Sequence, residues 1–502
     1  MQVIVGPRAL TPEQVVAVAR DDADVRVADE AMDAMAASRE QVEALAHADR
    51  PAYGISTGFG ALATTSIPTE RRADLQRSLI RSHAASSGSV VERDVVRAMM
   101  LLRLRTLATG RTGVRPVVAQ RLADLLNAGI TPVVREFGSL GCSGDLAPLA
   151  HIALTLMGEG EQAPALAEAG IEPVVLEEKE GLALINGTEG MLAMLLLSLH
   201  DLRLLVTTAD ITAAMSVEAL LGTDRVFADD LQQLRPQPGQ AQSATNMRAV
   251  LDGSAIVASH RGDDDTRVQD AYSLRCAPQV AGAMRDTIAH AAQVASYELA
   301  SAIDNPVVLP DGRVESNGNF HGAPVGYVLD FLAIAAADLA SISERRTDRM
   351  LDRNRSHGLP PFLADDPGVD SGYMIAQYTQ AGIVSEMKRL AVPASVDSIP
   401  SSAMQEDHVS MGWSAGRKLR RAVDGLTRVL AIEALAAARA VELRAPLTPA
   451  PATAAVVQTL RDAGVPGPGT DRYLSPEIET AAACVRDGVV AAAAEPVAGP
   501  LH

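Results

Sequence analysis

YVLDFLAIAAADLASI, residues 327–342, has its main polar positions at Asp330, Asp338 and Ser341. At about 100° per residue these fall within an arc of roughly 80° on a helix. Most of the remaining circumference is apolar, so such a helix must be surrounded by others. Helical patterning recurs at 97–108, 190–221, 286–302, 326–346 and 418–444. Several helices of this kind imply a packed bundle, with burial against other subunits as well. The expected fold class is all-α, a long-helix central bundle with a smaller, mainly helical N-terminal region. Strand-like alternation is confined to short pieces at 172–176 and 306–309. Thr11, Pro12 and Gln14 read as an N-cap, a first-turn proline and a capping-box partner, which predicts a helix over Pro12–Arg20.

Composition agrees with this fold class. Of the 502 residues, 47% are hydrophobic and 21% charged, against only 3% aromatic, and the apolar runs are chiefly Ala, Leu and Val. Ala and Leu are strong helix formers, and the hydrophobic content excludes global disorder. The formal charge, 44 minus 62, is −18. That balance argues against nucleic acid and anionic membrane surfaces as partners. Cys142, Cys276 and Cys484 are an odd set without CxxC spacing, which suits a reducing cytoplasm better than a disulfide framework or zinc ribbon. The N-terminal MQVIVGPRALTPEQ lacks the basic stretch and apolar core of a secretory signal. No run is expected to reach the length of a membrane span; the apolar stretch at 191–199 is followed at once by His200, Asp201 and Arg203. A cytoplasmic protein is expected.

Glycine, proline and serine mark loops at 53–60 (YGISTGFG), 138–144, 317–322 and 358–362, and pieces at 445–451 and 465–469 set off a helical C-terminal tail. Chemistry concentrates in GSLGCSGDLAPLAH, residues 138–151. By itself this is a glycine-rich turn entering a helix, with Asp145 near the cap and Pro148 in the first turn. A sharper possibility lies in Cys142-Ser143-Gly144. Gly144 lacks a side chain, so its amide nitrogen can approach the carbonyl carbon of residue 142. Cyclisation there, followed by loss of the Ser143 hydroxyl as water, gives a methylidene-imidazolone. That ring is electrophilic at its exocyclic carbon, and the following helix points its positive end at charge developing on addition.

GSLGCSGDLAPLAH resembles the signature of the aromatic amino acid ammonia-lyases, whose usual triad is Ala-Ser-Gly. Cys142 replaces the Ala, and since that residue supplies only its backbone carbonyl, the exchange is compatible with ring formation. The resemblance covers nearly the whole chain. It continues in order through YGISTGFG at Tyr53, INGTEG at Ile185, QDAYSLRCAPQ at Gln269, DNPV at Asp304, GNFHG at Gly318, SERR at Ser343 and QEDHVSMG at Gln405. One such motif is weak; the series is highly specific. It implies the helical architecture shared with the fumarase/aspartase group, although that group's own loop, GSSxMPxKxN, is absent. A division into 1–110, carrying the Tyr53 loop and His83, and 111–502, carrying the turn, bundle and tail, follows the order of the motifs.

The resemblance also implies a chemistry. The β-proton of an amino acid is scarcely acidic, so elimination is helped by an electrophile that makes the amine a better leaving group. Addition of the substrate amine to the methylidene carbon from Ser143 is implied, with attack by the substrate ring as the alternative. Tyr53 is implied as the base for the β-proton. Arg275 is implied as the carboxylate clamp, because a guanidinium binds a carboxylate with two parallel bonds. Asn186, Gln269 and Tyr272 match positions around the prosthetic group and amine, Phe320 packs beside the ring, and Asp145 assists cyclisation. Members acting on tyrosine and phenylalanine carry His-Leu or Phe-Leu, where this chain has Ser82-His83, and Asn-Gln-Asp, where it has Gln405-Glu406-Asp407. A carboxylate at Glu406 suits an imidazole N–H, whereas a phenyl ring offers nothing to bond. With His83 it implies L-histidine as substrate, urocanate as product and the first step of histidine degradation.

The implied cofactor is 4-methylidene-imidazol-5-one made from Cys142, Ser143 and Gly144, with no metal and no pyridoxal phosphate. The histidines show no HExxH pattern, and neither GxGxxG nor a P-loop is found. A homotetramer with shared active sites is implied, as the family places residues of several subunits in one site. The alternatives are a tyrosine or phenylalanine lyase or aminomutase of the same family, a serine hydrolase and a non-catalytic helical scaffold. GCSGD is not GxSxG, because Asp145 stands at the second Gly, which argues against the hydrolase.

Overall fold

Thr11 closes the extended entry to the first helix, Pro12–Arg20, and the capping box forms as its spacing predicts. Gln14 N–H donates to Thr11 Oγ1 at 3.3 Å, and Thr11 N–H donates to Gln14 Oε1 at 2.9 Å. The computed structural model describes residues 1–46, 53–262, 265 and 268–502. It is 61% helical with few strands, as the composition leads one to expect. The long helices are Arg93–Ala108, Glu189–Ala219, Ala277–Ala300, Ala323–Leu351 and Gly412–Glu442. Each covers most of a stretch whose periodicity predicts it, and the differences lie at the ends, where apolar pattern sets no sharp boundary. The tail is helical too, at Pro451–Asp462, Ser475–Arg486 and Val489–Ala498.

Two expectations are corrected. The segment 172–176 is no strand: Val174 and Leu176 are buried and Val175 exposed, but no neighbouring strand pairs with it among the described residues. Its alternation reflects one extended stretch lying on a core. Paired strands occur instead at Gln2–Val5 with Asp24–Val27, Ser87–Val90 with Arg135–Phe137, and Val307–Val308 with Val314–Glu315. Secondly, Glu180–Ala219 and Ala323–Leu351 are long and apolar enough to cross a bilayer by length and composition. The polar residues after Leu199 do not end the helix. The most apolar windows of the two are 100% and 61% buried within the protein, as core helices are.

The described residues form two compact units. Unit 1 comprises Met1–His200, Ala292–Asp330 and Pro393–Arg417; unit 2 comprises Asp201–Ala291, Phe331–Val392 and Lys418–His502. In unit 1, fully buried Arg103 joins three segments. Its Nη1 donates to Glu189 Oε1 at 2.9 Å, to Asn186 O at 3.2 Å and to Ile303 O at 3.3 Å. Glu189 in turn opens the helix Glu189–Ala219, where a negative charge complements the helix dipole. Lys179 and Asp304, both fully buried, form a second ion pair in this unit.

Unit 2 is pinned by Glu433, which is fully buried. Thr212 Oγ1 donates to it at 3.0 Å, Ser216 Oγ at 2.8 Å and Ser343 Oγ at 2.6 Å, and Arg346 pairs with both carboxylate oxygens. Ser343 and Arg346 are the ends of SERR, so that motif is structural in this unit. Glu433→Ala would strand the Arg346 charge and is expected to cost about 3–5 kcal/mol, read as a lower urea midpoint. Replacing both Glu433 and Arg346 by Leu should recover much of that loss, since the pair is costly to desolvate. A single variant as stable as the parent would refute the role.

Candidate active site

Residues 138–145 form a turn that leads into the helix Leu146–Leu156. Gly144 takes a φ of +77°, and a Cβ there would lie 2.1 Å from Gly187 O, so both conformation and space exclude a side chain. Asp145 N–H donates to that same oxygen at 2.7 Å. Asp145 occupies the N-cap position, yet its side chain makes no capping bond. It turns inward instead, accepting from Ser139 Oγ at 2.8 Å and from Met191 N–H at 2.9 Å. The turn is thereby fastened to the start of Glu189–Ala219. Burial pushes the Asp145 carboxyl up to about 7, against the donors at Met191 and Ser139 and with Glu189 adding to the rise.

A cavity of about 520 Å³ opens over this turn, lined by unit 1 residues that include Tyr53, His83, Ser143, Asn186, Phe320 and Glu406. Six sequence-derived site residues from six separated stretches thus meet in one place. Asn186 Nδ2 donates to Ser143 O at 2.9 Å, while its Oδ1, also buried, has no partner. Ser143 Oγ donates to Glu406 Oε1 at 3.1 Å. Cys142 Sγ, at 3.4 Å, and Ser401 Oγ, at 3.1 Å, both donate to Glu406 Oε2. Tyr53 Oη accepts Gly60 N–H at 3.1 Å, and its ring meets Phe59 edge-on at 6.4 Å.

His83 ends the helix Arg72–His83, with Nδ1 2.9 Å from Leu79 O. A carbonyl can only accept, so Nδ1 carries the proton and Nε2 is left as an acceptor. Burial lowers the His83 pKa, opposed by the Leu79 carbonyl and the Glu406 charge, and so favours the neutral ring. Gln269, Tyr272 and Arg275 belong to unit 2 and do not line the cavity. Arg275 donates through Nε to Asp270 O at 2.9 Å and lies 4.6 Å from the ring centre of Tyr272, which is 71% exposed. Among the described lining residues there is neither Lys nor Arg.

The family model for aromatic amino acid lyases matches residues 10–462. The chain belongs to the aromatic amino acid lyase family. It is 68% identical to a histidine ammonia-lyase of Streptomyces avermitilis over 99% of each chain. A tyrosine aminomutase structure from Streptomyces globisporus superposes with a TM-score of 0.94 at 39% identity, over 100% of both chains. A histidine ammonia-lyase structure from Trypanosoma cruzi gives 0.90 at 37%, over 99% of this chain and 96% of that one.

Within this lyase family member, several site residues escape a reading of motifs. Ser139 lies inside the signature, but only the fold shows its hydroxyl under Asp145. Asn305 of DNPV lines the cavity, as do Phe59 and Ser402. Ser401 carries no motif signal at all. Trp413, the sole tryptophan, donates to Glu136 O at 2.6 Å and fills the space a side chain at Gly190 would need. A carboxyl raised by folding holds a proton that the unfolded chain has released. Its stabilising contribution is therefore fully present below the unfolded value near 3.8 and is lost as pH rises to about 7. Urea midpoints of the parent relative to Asp145→Asn should accordingly fall across that window and level off above it. A pH-independent difference would contradict the buried, protonated carboxyl.

Proposed function

We propose that the chain removes ammonia from L-histidine to give trans-urocanate, as a carbon–nitrogen lyase at the first step of histidine degradation. The observation that carries this is the convergence of Ser143, His83 and Glu406 on one cavity. Fold alone does not select the substrate, since a tyrosine aminomutase superposes as well as a histidine lyase. The ring-facing pair does. Glu406 and the Nε2 of His83 are both acceptors, matched to a ring with N–H to give, whereas a phenyl ring would leave them unpaired in a desolvated pocket.

The Cys142–Ser143–Gly144 turn fits 4-methylidene-imidazol-5-one. Gly144 has no room for a Cβ, and Asn186 already donates to the Ser143 oxygen that becomes the ring carbonyl. Once formed, the group supplies an electrophilic carbon through which the substrate nitrogen becomes a leaving group; no metal and no pyridoxal phosphate are involved. Asn186 polarises the Ser143 carbonyl, and its unpartnered Oδ1 is an acceptor for the substrate ammonium. Tyr53 takes the β-proton, and the Gly60 N–H on its oxygen also serves the phenolate. Phe320 packs beside the ring, and Asp145 holds the turn during cyclisation.

A substrate carboxylate needs a cation, and the described residues of the cavity's lining supply none. Arg275, with Gln269 and Tyr272, supplies it from another copy in a homotetramer with shared sites, an assembly for which exposed Tyr297, Tyr327 and Phe331 offer apolar surface. The protein acts in the cytoplasm, without nucleic acid or membrane as partner, and its three free thiols suit that compartment.

Purified protein given L-histidine should produce the ultraviolet absorbance of urocanate, and Ser143→Ala should produce none. His83→Leu is expected to lower kcat/KM for L-histidine about 10-fold, the worth of one hydrogen bond; unchanged turnover would refute the specificity. Ser143→Ala and Arg275→Ala should each be inactive, yet recover activity when co-assembled, because some sites then draw both intact residues from different subunits. No recovery in mixed oligomers would rule out shared sites.

A further inference from the structure

We propose that Glu406 also handles the proton when Ser143 loses its hydroxyl, so that one carboxylate first builds the electrophile and later meets the substrate ring. This rests on the reading that the Cys142–Ser143–Gly144 turn matures. The Ser143 hydroxyl is the group that must depart, and its hydrogen bond goes to Glu406 Oε1 at 3.1 Å. The neighbouring titratable groups are engaged elsewhere. Asp145 is held by Ser139 and Met191 and Tyr53 by Gly60, while His83 is bonded through Nδ1 to Leu79 and makes no hydrogen bond to Ser143 among the described residues.

The two oxygens of Glu406 have different surroundings. Oε2 is saturated by Ser401 Oγ and Cys142 Sγ. The Cys142 thiol stays protonated, because burial and the Glu406 charge push it up to about 11. Oε1 is thereby turned to Ser143. The backbone enforces the same aim. Ser401 N–H donates to Glu406 O at 2.9 Å and Glu406 N–H to Ser401 O at 3.3 Å. Between them Ser402, Ala403 and Met404 all adopt left-handed φ values of 52°, 52° and 68°. Non-glycine residues pay for that conformation, and such strain persists where the surroundings over-determine it.

Ring formation releases two waters. The Gly144 nitrogen bonds to the Cys142 carbonyl carbon, and that oxygen leaves with the amide hydrogens of Ser143 and Gly144. The second water is Ser143's own. Its Cα–H bond breaks, the electron pair forms Cα=Cβ, and the Cβ–Oγ bond breaks. Hydroxide is a poor leaving group, so a proton must reach Oγ as it departs. Glu406 takes the Cα proton and passes it to Oγ, which leaves as water and regenerates the carboxylate. Oε1 then has lost its donor and is free to accept an imidazole N–H.

Intact mass separates this role from substrate binding, because no substrate is present. The parent full-length protein should be lighter than its sequence by two waters. Glu406→Gln and Glu406→Ala should be heavier than the parent by one or two waters, with helical circular dichroism like that of Ser143→Ala. Glu406→Asp should mature in part. Folded Gln and Ala variants that both lose two waters would overturn the proposal. A parent lacking the loss would instead overturn ring formation itself. Should the Ala variant not fold, the near-isosteric Gln variant decides the outcome.

Discussion

The Asp145 carboxyl is fully buried beneath the Cys142–Gly144 turn, where desolvation opposes its charge and donors from Ser139 and Met191 hold it in place. Much of unit 1 follows from that placement. The side chain leaves its capping position to bind the first turn of Glu189–Ala219, so the small signature helix and the long core helix share one anchor. Gly144 and Gly190 must lack side chains for the approach to occur, since Gly187 and Trp413 occupy the space. Arg103 fixes the other side of the same junction through Glu189 and Asn186. A polar group buried at this cost is tolerable only when fully engaged. Here the engagement also sets the position of Ser143 relative to Asn186.

How far the sequence foretold this depends on the kind of signal. Thr11, Pro12 and Gln14 specify a capping box through local geometry, and it forms. The long helices are legible because their apolar patterning persists over many turns. Glycine-rich stretches at 53–60 and 138–144 mark loops, and the matched motifs bring Tyr53, His83, Ser143, Asn186, Phe320 and Glu406 to one cavity. Short strands are not legible, since a four-residue segment such as Gln2–Val5 acquires its identity from its partner. The extended piece at 172–176 shows the converse, alternation without a ladder. Asp145 looked like a cap because caps are local, whereas its inward turn depends on Met191, distant in sequence. Ser401 is the hardest case: a serine immediately before a strained turn has no signature, and only the pairing with Glu406 reveals its position.

The same fold supports lyases and aminomutases, so selection must reside in a few side chains. Glu406 differs from an amide in charge and in offering no donor. His83 differs from the leucine at the matching position by presenting a lone pair once Leu79 holds its proton. Neither group suffices alone. A carboxylate by itself would accept from many donors, and a neutral imidazole by itself is a weak acceptor. Under the proposed function, the two together disfavour a ring without N–H, which can satisfy neither acceptor.

The described residues of the cavity's lining carry one carboxylate and neither Lys nor Arg, which bears on assembly as well as specificity. An amino acid entering it brings a second carboxylate, and in a low-dielectric site that negative charge is unfavourable without a counter-ion. A guanidinium such as that of Arg275 meets this need: among the described residues its hydrogen bond runs through Nε to Asp270 O, which leaves the Nη edge able to grip a carboxylate in parallel. Under the shared-site proposal, the isolated subunit would hold the electrophile and the ring selectors but bind the substrate poorly. Catalysis would then be conditional on assembly, and a reactive electrophile would not meet its substrate in an unassembled chain.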